Sequence, residues 1–188
     1  YYHPFSAEDL ISDSTSVLEL LKILQERDYV FVLEQNSVTK IVTIADLHKQ
    51  PIRMLTFSLI SLLEMYLVVA ISDLHPNDEW KEKLNDNRLE KAQKIWKLRK
   101  SKNEELTLLE NTQLSDKGSI VRNTPKLLEK MGFSSKSKCK DFFKNIERLR
   151  NNTAHAQRII YHDNNELIEV ILEINHILEK IASRSIED

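Results

Sequence analysis

The segment Arg148 to Gln157, RLRNNTAHAQ, concentrates groups that can move a proton and hold a phosphate. An imidazole with a reference pKa of about 6.5 takes up and returns a proton at neutral pH, and His155 supplies one. A guanidinium offers a planar fork to two phosphate oxygens and offsets charge that grows on them, and Arg148 and Arg150 each supply one. Asn151 stands four residues before His155, on the same helical face, where it can orient the imidazole or a phosphate. At about 100° per residue, Arg150 and His155 diverge by about 140°, whereas Arg148 shares nearly one face with His155. Either arginine can therefore serve. A second reading is open: Arg148, Arg150, Arg158 and His155 form a basic helix end that complements the negative C-terminal dipole.

The positioning elements are legible from periodicity and breakers. A helix is expected from about Lys138 to Gln157, capped within Ser134–Ser137, with Phe142, Ile146, Leu149, Thr153 and Ala156 facing inward and Arg150 on the border of that stripe. After the turn His162-Asp163-Asn164-Asn165, residues Glu166 to Ile181 form a closing amphipathic helix. Upstream, Pro51 opens one long apolar helix, Ile52 to Leu74, ended by Pro76. A charged helix is predicted from roughly Glu79 to Leu106, then shorter ones at Gln113–Val121 and Lys126–Met131, the last stopped by Gly132. The first 50 residues read differently: a helix in SVLELLKILQER capped by Ser14 or Ser16, then YVFVLEQ and VTKIVTI as strands flanking a Gln35-Asn36-Ser37 turn, then ADLHK as the start of another helix. The fold class is therefore α+β, a small helix-strand-strand unit (1–50) followed by an all-α bundle (51–188).

Composition removes several functions. The chain has 188 residues, 41% of them hydrophobic and 30% charged, with a net charge of −2. No global field recruits nucleic acid or an anionic membrane, and any polyanion must be held by a local patch. No DNA partner is expected. Gly118 and Gly132 are the only glycines, so no glycine-rich phosphate loop exists. The lone Cys139 excludes a disulfide framework and a cysteine-rich zinc site, and fits a reducing cytoplasm. Residues 52–71 approach bilayer-spanning length, but Arg53, Ser58, Ser61 and Glu64 within them favour a buried core helix over a membrane span. No signal peptide is read, and the start at Tyr1 leaves room for a preceding segment. His48, His75, His162 and His176 show no metal-ligand spacing, and no metal is expected. His176, on an apolar helix, is expected to be a packing residue.

Two resemblances extend these readings. Residues 9–50, and KIVTIAD above all, resemble one cystathionine-β-synthase (CBS) module, whose pattern runs glycine, two hydrophobics, Ser/Thr, two residues and Asp; Lys40 stands where the family has glycine. The resemblance implies that Thr43 and Asp46 bind a regulatory adenine nucleotide, the carboxylate accepting from the ribose hydroxyls. The alternative is that both residues cap the following helix. RNNTAH, with LISLLEMYL, TQLSDKGSIV and KDFFKNIERLRNNTAHAQ, resembles the HEPN superfamily over about Pro51 to Ala182. That resemblance implies a homodimeric, metal-independent endoribonuclease whose two signature helices face a shared cleft. It assigns Arg150, His155 and Asn151 to the site, and Glu64 as the acidic residue of the first bundle helix. Arg150 is preferred over Arg148 because Asn151 follows it. Such proteins work in host defence or toxin–antitoxin systems, with RNA as substrate and a cognate antitoxin as partner. The alternative is an inactive HEPN dimer that binds RNA or protein as a regulatory module.

Overall fold

Ser16 rather than Ser14 starts the first helix: its hydroxyl accepts from Glu19 N at 3.2 Å, fixing α1 as Val17–Leu24. The computed structural model describes residues 6–154 and 159–184. Three strands accompany α1, where two were expected. β1 (Leu10–Ser12) runs parallel to β2 (Tyr29–Glu34), which pairs antiparallel with β3 (Ser37–Thr43), in the order β1-β2-β3. Three residues are too few to display a period of two, so β1 left no pattern to read. Gln35, at φ 55°, turns the β2–β3 hairpin, and β3 is left as an edge with Val38 and Ile41 exposed.

After a 3-10 turn at Ile44–His48, α2 (Gln50–Leu74) begins with Pro51 in its first turn, where a missing N–H costs nothing. The charged segment splits. Glu79–Lys83 is a 3-10 turn, and α3 (Asp86–Lys100) starts anew because the Asn85 side chain accepts from Arg88 N at 3.0 Å. Charge alternation alone cannot register that interruption, since charged residues run through turn and helix alike. α4 (Leu114–Asn123) and α5 (Pro125–Lys130) follow. Gly132, at φ +76°, closes α5 while Phe133 N reaches back to Leu128 O at 2.9 Å. Ser135 caps α6 (Lys136–Ala154), its hydroxyl accepting from Lys138 N at 3.2 Å, and α7 (Asn164–Arg184) closes the chain.

α2, α4, α6 and α7 pack around one core, with α3 outside it, burying only Ala92. Leu21 and Leu24 of α1 and Leu47 belong to the same continuous core as Leu63 and Leu67 of α2 and Ile168 and Ile171 of α7. Each such side chain contributes about 1.5–3 kcal/mol through burial, so the sheet unit is welded to the bundle rather than tethered to it.

α2 is apolar on both faces but buried on one. Ile52, Leu59, Ile60, Leu63, Leu67 and Ile71 enter the core, whereas Met54, Phe57, Met65 and Val69 are each more than half exposed. By length and composition this one helix among the described residues qualifies to cross a bilayer; in the fold its inner face serves the core.

Candidate active site

α6 carries the basic cluster, and its register follows from three side chains. Phe142, Ile146 and Leu149 are buried, as their spacing requires, and Thr153 is half-buried with its hydroxyl donating to Leu149 O at 2.8 Å. Ala156 and His155 lie outside the described residues. This register leaves Arg150 at the border of the buried stripe, where its guanidinium stands 3.9 Å from Glu64 Oε1 on α2. The arginine side chain is 43% exposed and the glutamate 27%. The one acid in the apolar run of α2 thus faces the arginine chosen from the motif, at a distance too long for a hydrogen bond.

Arg148 is engaged elsewhere. Its guanidinium lies 3.9 Å from the centre of the Tyr161 ring, and one nitrogen is 3.4 Å from Glu166 Oε2. Tyr161 donates its hydroxyl to Glu166 Oε1 at 3.1 Å; burial and that bond push its pKa up to about 12. The next asparagine, Asn152, donates to Ile160 O at 2.8 Å. Arg148 and Asn152 therefore tie α6 to the segment that leads into α7, while Asn151 is exposed. The structure brings Arg150 and Glu64 together and sets Arg148 in a separate, three-membered contact.

Lys117 joins the cluster, and the sequence reading missed it. Asp116 accepts from Gln113 N at 2.9 Å and binds Arg88 of α3, which anchors the start of α4 and turns the next residue inward. Lys117 is 3% exposed, and its ammonium donates to Thr112 O at 2.7 Å. Burial lowers its pKa; Glu64 and Asp116 pull it back, Arg150 pushes it further down, and the net direction is down. Glu64 thus sits between two cations, with Asp116 and Glu110 also within electrostatic reach of Lys117. The signal was present: Leu114, Ile120 and Val121, three and four residues away, put Lys117 on the inner face. Beside the end of α6, a hollow of about 400 Å³ opens between Thr153 and the start of α2, lined by Gln50, Arg53, Met54 and Phe57.

Thr43 and Asp46 meet each other directly. Asp46 Oδ2 accepts from Thr43 N at 2.7 Å and from its hydroxyl at 3.1 Å, and Lys49 Nζ is 2.5 Å from Oδ1. Desolvation alone would raise this carboxyl, but the bonds from Lys49 and Thr43 outweigh it and hold the pKa below the ordinary value. Both residues therefore cap the 3-10 turn that leads into α2. Asp46 also lines an apolar groove of about 350 Å³ with Leu20, Lys40, Ile41 and Ile52. Asp46→Asn is expected to lower stability near neutral pH by about 1 kcal/mol. Because the folded pKa is depressed, the stabilisation is present above the unfolded value of about 3.9 and is lost as pH falls through the folded one. Urea titrations of the two proteins should thus converge in acid; a constant gap across pH would refute the assignment.

Among the described residues, no group of three or more His, Cys, Asp or Glu is placed to hold a metal ion. His48 Nδ1 accepts from Ile160 N at 3.3 Å, linking the turn before α2 to the end of the α6–α7 connection. His176, expected to pack, is exposed, because the buried face of α7 runs through Ile174, Ile177 and Leu178 instead. No protein-family model, no curated protein and no solved structure matches the chain.

Proposed function

We propose that the chain is a HEPN-type endoribonuclease acting without metal as a homodimer, with its CBS-like unit as a regulatory attachment. The observation that carries this reading is the pairing of Arg150: its guanidinium is 43% exposed and stands 3.9 Å from Glu64, too far for a hydrogen bond, while Arg148, 48% exposed, stacks on Tyr161 and reaches Glu166. In the reaction, the ribose 2′-OH attacks the adjacent phosphorus and yields its proton to a base, with the bond to O5′ breaking as that oxygen is protonated. The products are a 2′,3′-cyclic phosphate and a free 5′-OH. His155 is assigned the proton transfers, Arg150 the phosphate oxygens, and Asn151 the orientation of either. Glu64 positions Arg150, and buried Lys117 faces the same carboxylate from α4.

The exposed face of α2 supports the dimer. Met54, Phe57, Leu62, Met65 and Val69 form a stripe about 22 Å long, with the small Ser58 and Ser61 near its middle. Large and small residues that alternate about a centre can interlock with a second copy across a two-fold axis. Glu64 lies within one turn of that centre and at the border of the stripe, so the pairing sets two Glu64–Arg150 pairs along one interface.

The test is incubation of the purified chain with a defined RNA in EDTA, with analysis of the product ends. Cleavage leaving a 2′,3′-cyclic phosphate, and lost in His155→Ala, is expected. RNA that binds but stays intact would instead support the inactive binding module. A regulatory nucleotide must displace Lys49 from Asp46 to reach the carboxylate, so an adenine-nucleotide titration is expected to shift the melting temperature of the wild type but not of Asp46→Asn. Coupling to cleavage follows from the shared core and from α2, which begins two residues after the 3-10 turn.

A further inference from the structure

The chain has a net charge of −2, yet one groove concentrates unpaired positive charge. It measures about 500 Å³ and is walled by the turn before α3, by α4 and by α6. Lys83, Arg122, Lys140 and Lys144 line it, none in an ion pair among the described residues, and Glu147 is the one carboxylate on its wall. Arg88, also on the wall, is already neutralised by Asp116. The floor of the groove includes the Phe143 ring, which rests against α4 where Gly118 has no side chain.

We propose that this groove binds the phosphates of single-stranded RNA flanking the cleaved bond; the inference rests on the ribonuclease reading and extends it to the path of the substrate. Three arguments support it. Four cations held within one groove and left without carboxylate partners repel one another, an arrangement that a dense row of phosphates relieves. The groove carries the Phe143 ring and Leu84 beside its cations, a surface that suits the unstacked bases of a single strand more than a rigid duplex. Finally, Lys140 and Lys144 share a face of α6 with Asn151, and Lys144 precedes Arg150 by about 9 Å along the axis. A strand lying on the lysines therefore leads along that face to Asn151, and reaches Arg150 by turning about 120° round the helix.

The experiment measures anisotropy of a fluorescent oligouridylate on the His155→Ala protein, so that nothing is cut, across a range of salt. Lys140→Glu/Lys144→Glu changes two exposed side chains and leaves the core intact. It is expected to weaken binding at least tenfold and to reduce the slope of log affinity against log salt by about 1.4, the loss of two single-strand phosphate contacts. Lys91→Glu/Lys94→Glu on α3 makes the same change in net charge on another face, with an expected effect below threefold. Equal weakening by both pairs, no weakening by the groove pair, or no binding by the parent would each overturn the proposal. Cleavage by the wild type separates the two readings. Groove-dependent binding without cleavage keeps the track and removes the nuclease; cleavage with a KM unmoved by the groove pair keeps the nuclease and removes the track.

Discussion

Arg150→Ala is expected to slow RNA cleavage by about 10²–10³-fold, the usual loss when a preorganised donor to a developing oxyanion is removed, whereas Arg148→Ala should stay within about threefold of wild type. The two arginines stand two positions apart, about half a turn, and differ in circumstance. Arg150 faces Glu64 across 3.9 Å and is free to turn its fork to a phosphate. Arg148 is stacked on Tyr161 and reaches Glu166, so its removal deletes a cation–π contact and a weak ion pair, together about 1 kcal/mol of stability. The two variants should therefore separate along different axes: one in the single-turnover rate at saturating protein, the other in the urea midpoint. Arg150→Lys should recover little, because an ammonium keeps the charge but loses the bidentate fork. If Arg148→Ala loses the rate and Arg150→Ala keeps it, the phosphate site belongs on the Tyr161 side of α6 and the role given to Glu64 falls with it.

The parts of this arrangement that periodicity controls were legible beforehand. Phe142, Ile146 and Leu149 fix the register of α6, and with it the border position of Arg150. Glu64 stood out as the lone acid in the apolar run of α2, where the resemblance implies an acidic residue, and it lies 3.9 Å from Arg150. What escaped depends on pairings that no one-dimensional pattern encodes. Lys117 was passed over within TQLSDKGSIV because a lysine reads as surface until a carbonyl, here Thr112 O, is known to receive it. β1 is too short to show alternation and becomes a strand only because β2 offers it an edge. The break at Asn85 needs its cap bond to be visible. The exposed half of α2 is as apolar as the buried half, so sequence pointed to a core helix where the fold leaves one face uncovered. The four groove cations come from three separate segments, and none is distinctive in its own neighbourhood.

Gly118→Ala should destabilise the chain by about 1–3 kcal/mol or more, the reverse of what an isolated helix would give. In a helix interior, alanine is better than glycine by about 0.8–1 kcal/mol, so helix propensity alone predicts a more stable protein. The α4–α6 contact predicts the opposite. A Cβ built at Gly118 falls 2.5 Å from Phe143 Cγ and 2.8 Å from both Cδ atoms, distances that only a separation of the helices can relieve. Phe143 itself is wedged against Phe133 and Phe142, with ring centroids 6.3 Å and 5.3 Å away, and has little room to swing aside. Trimming the ring should therefore rescue the added methyl: in a double-mutant cycle with Phe143→Leu, the combined variant is expected to be less damaged than the sum of the single changes. The same cycle reaches the site. Asp116 and Lys117 immediately precede Gly118 on α4, so a displaced α4 moves the buried ammonium away from Glu64 and Arg150. RNA cleavage should fall in Gly118→Ala and recover in the double variant, in step with the urea midpoint. Stability that rises in Gly118→Ala would show that α4 and α6 do not approach as closely as this packing requires, and the cluster built across them would lose its support.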